Sequence, residues 1–218
     1  MLSDVVYKFI PILIAIIMHE VAHGYAAYWL GDDTAHREGR LSLNPVKHAD
    51  PFGTVLLPLM LWMANAGFMF GWAKPVPVDF RNLKYGRWGM LIVSAAGIIM
   101  NIWLAVIAAL VLMLVQFIPS PHMQMMISMF FLNLLVFNII LAVFNALPIP
   151  PLDGSKILFG WINKPWAVKY INSDRIGLAA IVILIFVLPE IGNALGIDLN
   201  LFRNYMIKTT RYLSSILL

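Results

Sequence analysis

The sequence predicts an all-α membrane protein: a polytopic bundle of about five or six transmembrane segments, with a re-entrant hairpin and a short extended stretch. Three observations predict it. Apolar residues fill 61% of the 218 positions and charged residues 12%, about half the charged share of a soluble domain. The apolar residues gather in runs of about twenty or more, the length a helix needs to cross the hydrocarbon core. Between the runs lie loops in which Pro, Gly, Lys and Arg concentrate. The net charge of +4 is spread over those loops, so it bears on orientation and not on nucleic acid. The absence of cysteine excludes a disulfide framework and a thiolate metal site. The chain reads as one domain, 1–218, with a core at 5–160 and C-terminal helices at 176–218. Its apolar N-terminus lacks the basic region of a removable signal peptide.

Residues 5–30 form the first span. Loop 31–50 follows, with turn signals at Asn44-Pro45 and Asp50-Pro51-Phe52-Gly53. Residues 52–72 are apolar again but hold Pro58 in the middle and Gly67 and Gly71 near the end. Gly71-Trp72-Ala73-Lys74-Pro75-Val76-Pro77-Val78-Asp79 reads as extended, because alternate prolines cannot sit in a helix and the residues between them are mostly β-branched. Residues 88–117 form the longest span, with Ser94-Ala95-Ala96-Gly97 as a patch for close helix approach and Asn101 as a polar residue inside it. A short connection, 118–122, leads to the span 123–147. That span breaks at Pro148-Ile149-Pro150-Pro151, and Asp153-Gly154 follow. Residues 176–189 are apolar but short for a span. The tail 199–218 carries Arg203, Lys208 and Arg211 among Leu, Phe, Tyr and Ile, which fits either an interfacial amphipathic helix or a further span.

Chemistry is concentrated in the first span, at Met18-His19-Glu20-Val21-Ala22-His23-Gly24. His-Glu-x-x-His on a helix sets two imidazoles one turn apart on one face, as a shared zinc ion requires. Glu20 falls beside that face, where a carboxylate can take a proton from a water and pass it on. With five His and three Glu in the chain, the pattern arises by chance roughly once in several hundred such sequences. Three ionisable groups on one turn of an apolar span are costly in lipid and point to function; two hydrogen-bonded histidines in a bundle are the plainer alternative.

Two histidines leave zinc short of a protein ligand. Six residues after His23 stands Trp29, so no third histidine follows at that spacing. Glu38 and Asp153 are the carboxylate candidates, and Asp153 is preferred because it lies just past a span in proline-broken backbone. For Asp153 to meet His19 and His23, an even number of crossings must separate them. Spans 88–117 and 123–147 supply two, so 52–72 must dip in and return, turning near Pro58. The basic residues agree: loops 31–50, 73–87 and 155–175 hold three, four and four Lys plus Arg, and 118–122 holds none. The three basic loops are therefore expected in the cytoplasm, with the site in the membrane toward that face.

With His19-Glu20-x-x-His23 in one span and Asn145…Pro148…Leu152-Asp153-Gly154 after another, the sequence resembles the site-2 protease family of intramembrane zinc metalloproteases, over roughly residues 5–160. The family's usual Ala-Gly-Pro reads Ala96-Gly97-Ile98 here, a departure expected to touch helix packing more than chemistry. The resemblance implies one zinc ion per chain, held by His19, His23 and Asp153, with Glu20 as general base. It implies a substrate-positioning role for Asn145, for which a helix cap is the plain alternative. It also implies that Gly71, Trp72, Ala73, Lys74, Pro75 and Val76 form an edge that pairs with unwound substrate; a proline-stiffened loop is the alternative. The implied partners are a single-pass membrane-protein substrate and the lipid bilayer, and the implied place is the cell membrane. Without a PDZ or CBS domain, the chain reads as a core-only member. Two rival readings use the same residues. A membrane zinc-binding or transport protein needs the His and Asp but not Glu20, and a pseudoprotease keeps the fold without turnover.

Overall fold

The computed structural model describes residues 5–56, 60, 63 and 73–218, and every regular element among them is helical. Helix α1 (Ile10–Trp29) continues from a π-helical turn at Val5–Phe9, and that change of helix type falls just before Pro11, which has no N–H to give the ladder. It ends at Leu30, and Gly31, at φ 103°, turns the chain away. The short α2 (Thr34–Arg37) and a 3-10 turn at Pro45–His48 lie in the loop that follows. Helix α3 (Arg87–Leu114) runs on through a 3-10 turn to Phe117. Helix α4 (Pro121–Asn145) opens on Ser120, whose hydroxyl accepts the Met123 N–H at 3.4 Å. Beyond the proline break come α5 (Asp153–Phe159), α6 (Pro165–Ile171), α7 (Asp174–Val182), α8 (Leu188–Leu195) and α9 (Leu201–Leu217).

Small residues decide how the helices meet. The buried face of α3 is Gly89, Val93, Ser94, Gly97, Asn101, Ala105, Ala108 and Ala109, so α1 and α4 can both approach its backbone. Ala105, Ala108 and Ala109 pack with Leu134, Leu135, Ile139 and Val143 of α4, and Ile14 of α1 and Met206, Leu213 and Leu217 of α9 close over them. The opposite face of α3 exposes Ile99, Ile102, Trp103, Leu110 and Leu114. A helix that is apolar all round and still exposed on one side belongs in lipid.

Four helices among the described residues are long and apolar enough to cross a membrane: Val6–Trp29, Arg87–Phe117, Pro121–Asn145 and Asp174–Leu195. The sequence predicts five or six spans, and the described residues hold four such helices. Residues 176–189 are short for a span by themselves, but a π-helical turn at Ile183–Val187 joins α7 to α8 and sets Pro189 in the first turn of α8, so the helix passes the proline and reaches Leu195. The tail is helical as α9, but at 17 residues, with Arg203, Lys208 and Arg211 along it, it is not among the four. Of the expected re-entrant hairpin, residues 57–59, 61–62 and 64–72 lie outside the described residues, and Pro51–Leu56 is a π-helical turn.

The expected extended or β stretch is not present as a strand: among the described residues there is none, and 73–79 has no regular structure. The reason is visible in its bonds. Pro75 and Pro77 have no N–H to give a ladder, and the N–H groups of Lys74, Val76 and Asp79 and the carbonyls of Lys74 and Pro75 are taken by side chains and loop backbone from elsewhere in the chain.

Candidate metal centre

Helix α1 carries His19, Glu20 and His23, and the outer nitrogen of each histidine is spoken for. His23 Nδ1 lies 2.7 Å from the Val93 carbonyl, which can only accept, so the proton sits on Nδ1. His19 Nδ1 lies 2.6 Å from Asn101 Oδ1. Asn101 is itself oriented, because its Nδ2 donates to Asn138 Oδ1 at 2.8 Å and to the Ala15 carbonyl at 3.2 Å. Asn138 in turn donates to the Leu134 carbonyl at 2.8 Å. Both histidines are thus held as the tautomer whose Nε2 presents a lone pair.

Those two lone pairs meet a carboxylate. The Nε2 atoms are 3.0 Å apart, and Asp153 Oδ2 lies 3.2 Å from His19 Nε2 and 3.1 Å from His23 Nε2. Asp153 is buried, and its Oδ2 has no hydrogen-bond donor among the described residues. Three acceptors converging in a buried space repel one another unless a cation sits among them. For N and O ligands around tetrahedral zinc the ligand–ligand edge is about 3.3 Å, close to the edges of this triangle. His19, His23 and Asp153 are the group among the described residues that could hold a metal ion, and they fit zinc by donor type and by spacing. Glu38 is exposed and stands outside the group.

Two glycines make the convergence possible. A Cβ on Gly97 would stand 2.5 Å from His23 Nε2, 2.6 Å from His19 Cε1 and 2.7 Å from His19 Nδ1. The imidazoles therefore occupy the space a side chain would take on α3. The sequence reading treated Gly97 as a helix-packing residue; here packing and site geometry are one thing. A Cβ on Gly154 would lie 2.2 Å from the Ala146 carbonyl, so the start of α5 can dock on the end of α4 only with glycine beside Asp153. Gly97→Ala is expected to push the imidazoles apart and abolish stoichiometric zinc binding, read by metal analysis of the purified protein. Asn101→Leu keeps the volume and removes the acceptor for His19 Nδ1–H. It should weaken zinc about 10- to 100-fold in competition with a chelator. The signal for Asn101 was in the sequence, as an amide inside an apolar span; its bond to His19 was not.

Glu20 lies outside the triangle and is half-buried. Its Oε2 accepts the Val76 N–H at 2.8 Å, which ties the carboxylate to the 73–79 segment. Of the other residues expected to touch substrate, Gly71 and Trp72 lie outside the described residues, Lys74 and Pro75 are exposed, and Ala73 is half-buried. Asn145 closes the last turn of α4, donating to the Leu141 carbonyl at 3.1 Å.

The far end of the 73–79 segment rests on Asp32, a fully buried carboxylate. It accepts the Asp79 N–H at 2.8 Å, the Asn82 amide at 3.2 Å, and both the N–H and hydroxyl of Thr34. Burial pushes its pKa up, but the bonds from Thr34, Asp79 and Asn82 outweigh that, and the pKa falls below the ordinary 3.8. A folded value below the unfolded one means the stabilisation is complete above pH 3.8 and is lost as pH falls through the folded value. Thermal melts of wild type and Asp32→Asn should therefore differ at neutral pH and converge in acid below that value.

The comparisons with known proteins agree with the geometry. A family model described as Peptidase family M50 matches residues 113–189, which hold the proline break and Asp153. A Bacillus subtilis protein named "Putative zinc metalloprotease YwhC" is 38% identical over 213 residues, covering 95% of this chain and 92% of that protein. The protein named "Putative zinc metalloprotease Rip2" of Mycolicibacterium smegmatis is 29% identical over 175 residues, 79% of this chain and 64% of that protein. Its namesake in Mycobacterium tuberculosis (strain H37Rv) is 31% identical over 148 residues, 67% of this chain and 53% of that protein. No solved structure matches the chain. A likeness that runs almost the whole length of both this chain and the Bacillus protein leaves one assignment: the chain belongs to peptidase family M50, the site-2 protease family of zinc metalloproteases.

Proposed function

We propose that this protein is an intramembrane zinc metalloendopeptidase that cleaves single-pass membrane proteins within or near their transmembrane segments. The observation that carries the reading is the triangle of His19 Nε2, His23 Nε2 and Asp153 Oδ2, with the Glu20 carboxylate beside it on the same turn of α1. His19, His23 and Asp153 would hold zinc, which when bound supplies the Lewis-acid activation of water and carbonyl that peptide hydrolysis needs. Glu20 is the general base. Val76 N–H occupies Oε2, which leaves Oε1 as the oxygen to take the proton of the attacking water and return it to the leaving amine. The cluster lies where α1, α3 and the start of α5 meet, among helices that expose apolar faces, which supports a substrate that is itself in the membrane. The peptide bonds of a helix are hidden, so the substrate must be unwound before its backbone can reach the site.

The test is reconstitution of the zinc-loaded protein in liposomes with single-pass peptides. Cleavage that a chelator abolishes and zinc restores supports the reading. No cleavage of any of a varied set of such peptides by protein with full zinc content would favour a zinc-binding or transport role. The cytoplasmic placement of the site is tested separately. The chain has no cysteine, so Arg81→Cys gives a single thiol on the exposed loop before α3. That thiol should resist an impermeant maleimide added to intact cells and react in inverted vesicles; labelling from outside would overturn the topology.

A further inference from the structure

Between Lys74 and Val78 the chain alternates Pro75-Val76-Pro77, so Val76 has the one backbone N–H between them, and Glu20 uses it. The orientation of the Glu20 carboxylate therefore depends on where Val76 is held. The buried Val76 side chain lies against Gly24 of α1, where an added Cβ would stand 2.9 Å from Val76 Cγ1, but the backbone on either side is held from elsewhere. The segment is anchored on either side of Val76 by residues of the loop after α1. Arg40, buried, donates from Nη2 to the Lys74 carbonyl at 2.8 Å and to the Pro75 carbonyl at 3.2 Å. The His48 carbonyl accepts the Lys74 N–H at 2.8 Å, and Asp32 accepts the Asp79 N–H at 2.8 Å. Arg40 is itself placed by its N–H on the Ala35 carbonyl at 2.9 Å, just after Gly39 at φ 63°. A guanidinium buried on two consecutive carbonyls gives up solvation, and its planar fork gains direction in return.

From this chain of contacts we infer that Arg40 is a positioning residue for the Glu20 base. Arg40 holds the carbonyls of Lys74 and Pro75, and the peptide bond that follows Pro75 then presents the Val76 N–H to Glu20 Oε2. The inference rests on the reading of Glu20 as the base, but its first consequence is structural and can be measured without substrate. Removing the donor should release the segment locally, leave the triangle of His19, His23 and Asp153 intact, and free the Glu20 carboxylate to rotate away.

The proline pattern makes the measurement clean. In a proteolytic fragment covering 74–77, Val76 is the one internal amide that can hold deuterium, so fragment-level exchange of the zinc-loaded protein reads Val76 alone. Arg40→Met should speed Val76 exchange by about tenfold or more, a local opening, while fragments from α1 and α3 keep wild-type exchange. Zinc content should stay at the wild-type level. With a cleavable single-pass peptide, kcat should fall and KM should hold, and Arg40→Lys should recover part of both protection and kcat, since an ammonium still donates to carbonyls. Unchanged Val76 exchange in Arg40→Met would overturn the inference. So would a general rise in exchange together with loss of zinc, because Arg40 would then serve the fold as a whole. If Val76 protection depends on Arg40 with zinc retained, yet the wild type cleaves nothing, the positioning stands and the proteolytic reading fails instead.

Discussion

Glu20→Gln should retain zinc and lose cleavage by about 100- to 10,000-fold, the usual contribution of a positioned acid–base group. The substitution is nearly isosteric. A Gln carbonyl oxygen can still accept the Val76 N–H that Oε2 now accepts at 2.8 Å, so the geometry of α1 and of the 73–79 segment is kept. The triangle of His19, His23 and Asp153 does not include Glu20, so the metal site is untouched. What disappears is the capacity of Oε1 to take a proton. Zinc content and peptide cleavage measured on one preparation check both halves. Appreciable cleavage would remove Glu20 from the base role, and loss of zinc would place it within the metal site.

Asp153→Ala and His23→Ala should each abolish stoichiometric zinc binding, with affinity falling by more than the 10- to 100-fold expected of an outer-shell change. In Asp153→Ala two imidazole lone pairs, 3.0 Å apart, remain without the carboxylate that completes the donor set. In His23→Ala one lone pair and the carboxylate remain, and the gap opens under Gly97. Metal analysis of detergent-purified protein is the measurement, with helicity by circular dichroism to show that each variant is folded. Full zinc retention in Asp153→Ala would place the third ligand elsewhere and reduce the contact at 3.1–3.2 Å to a buried hydrogen-bonded cluster.

The all-helical membrane architecture follows from composition and run length, because a chain with so few charges has to bury its backbone bonds within each span. The shared face of His19 and His23 follows from helical spacing, and Glu20 follows from the motif. Where the sequence reading was incomplete, the reason is physical in each case. Residues 176–189 are short for a span by themselves, whereas a π-helical turn carries the helix past Pro189 to Leu195. The stretch around Val76 looked like a strand because β-branched residues alternate with prolines, yet alternation does not say whether a partner edge exists. Its polar groups go to Arg40, His48, Glu20 and Asp32 instead.

By itself the sequence determined the fold class, the membrane setting, the His-Glu-x-x-His turn, and Asp153 as the carboxylate best placed to join it. Those features are local: periodicity, spacing and backbone breaks are properties of neighbours along the chain. Only the tertiary structure decided that three lone pairs meet within 3.2 Å, that Asn101 and Val93 set the two tautomers, and that Gly97 leaves room for both rings. It alone tied Glu20 through Val76 to Arg40. These contacts join α1 to residues from about 55 to 135 positions away, where direction and distance depend on how helices pack around small residues and not on any short-range pattern.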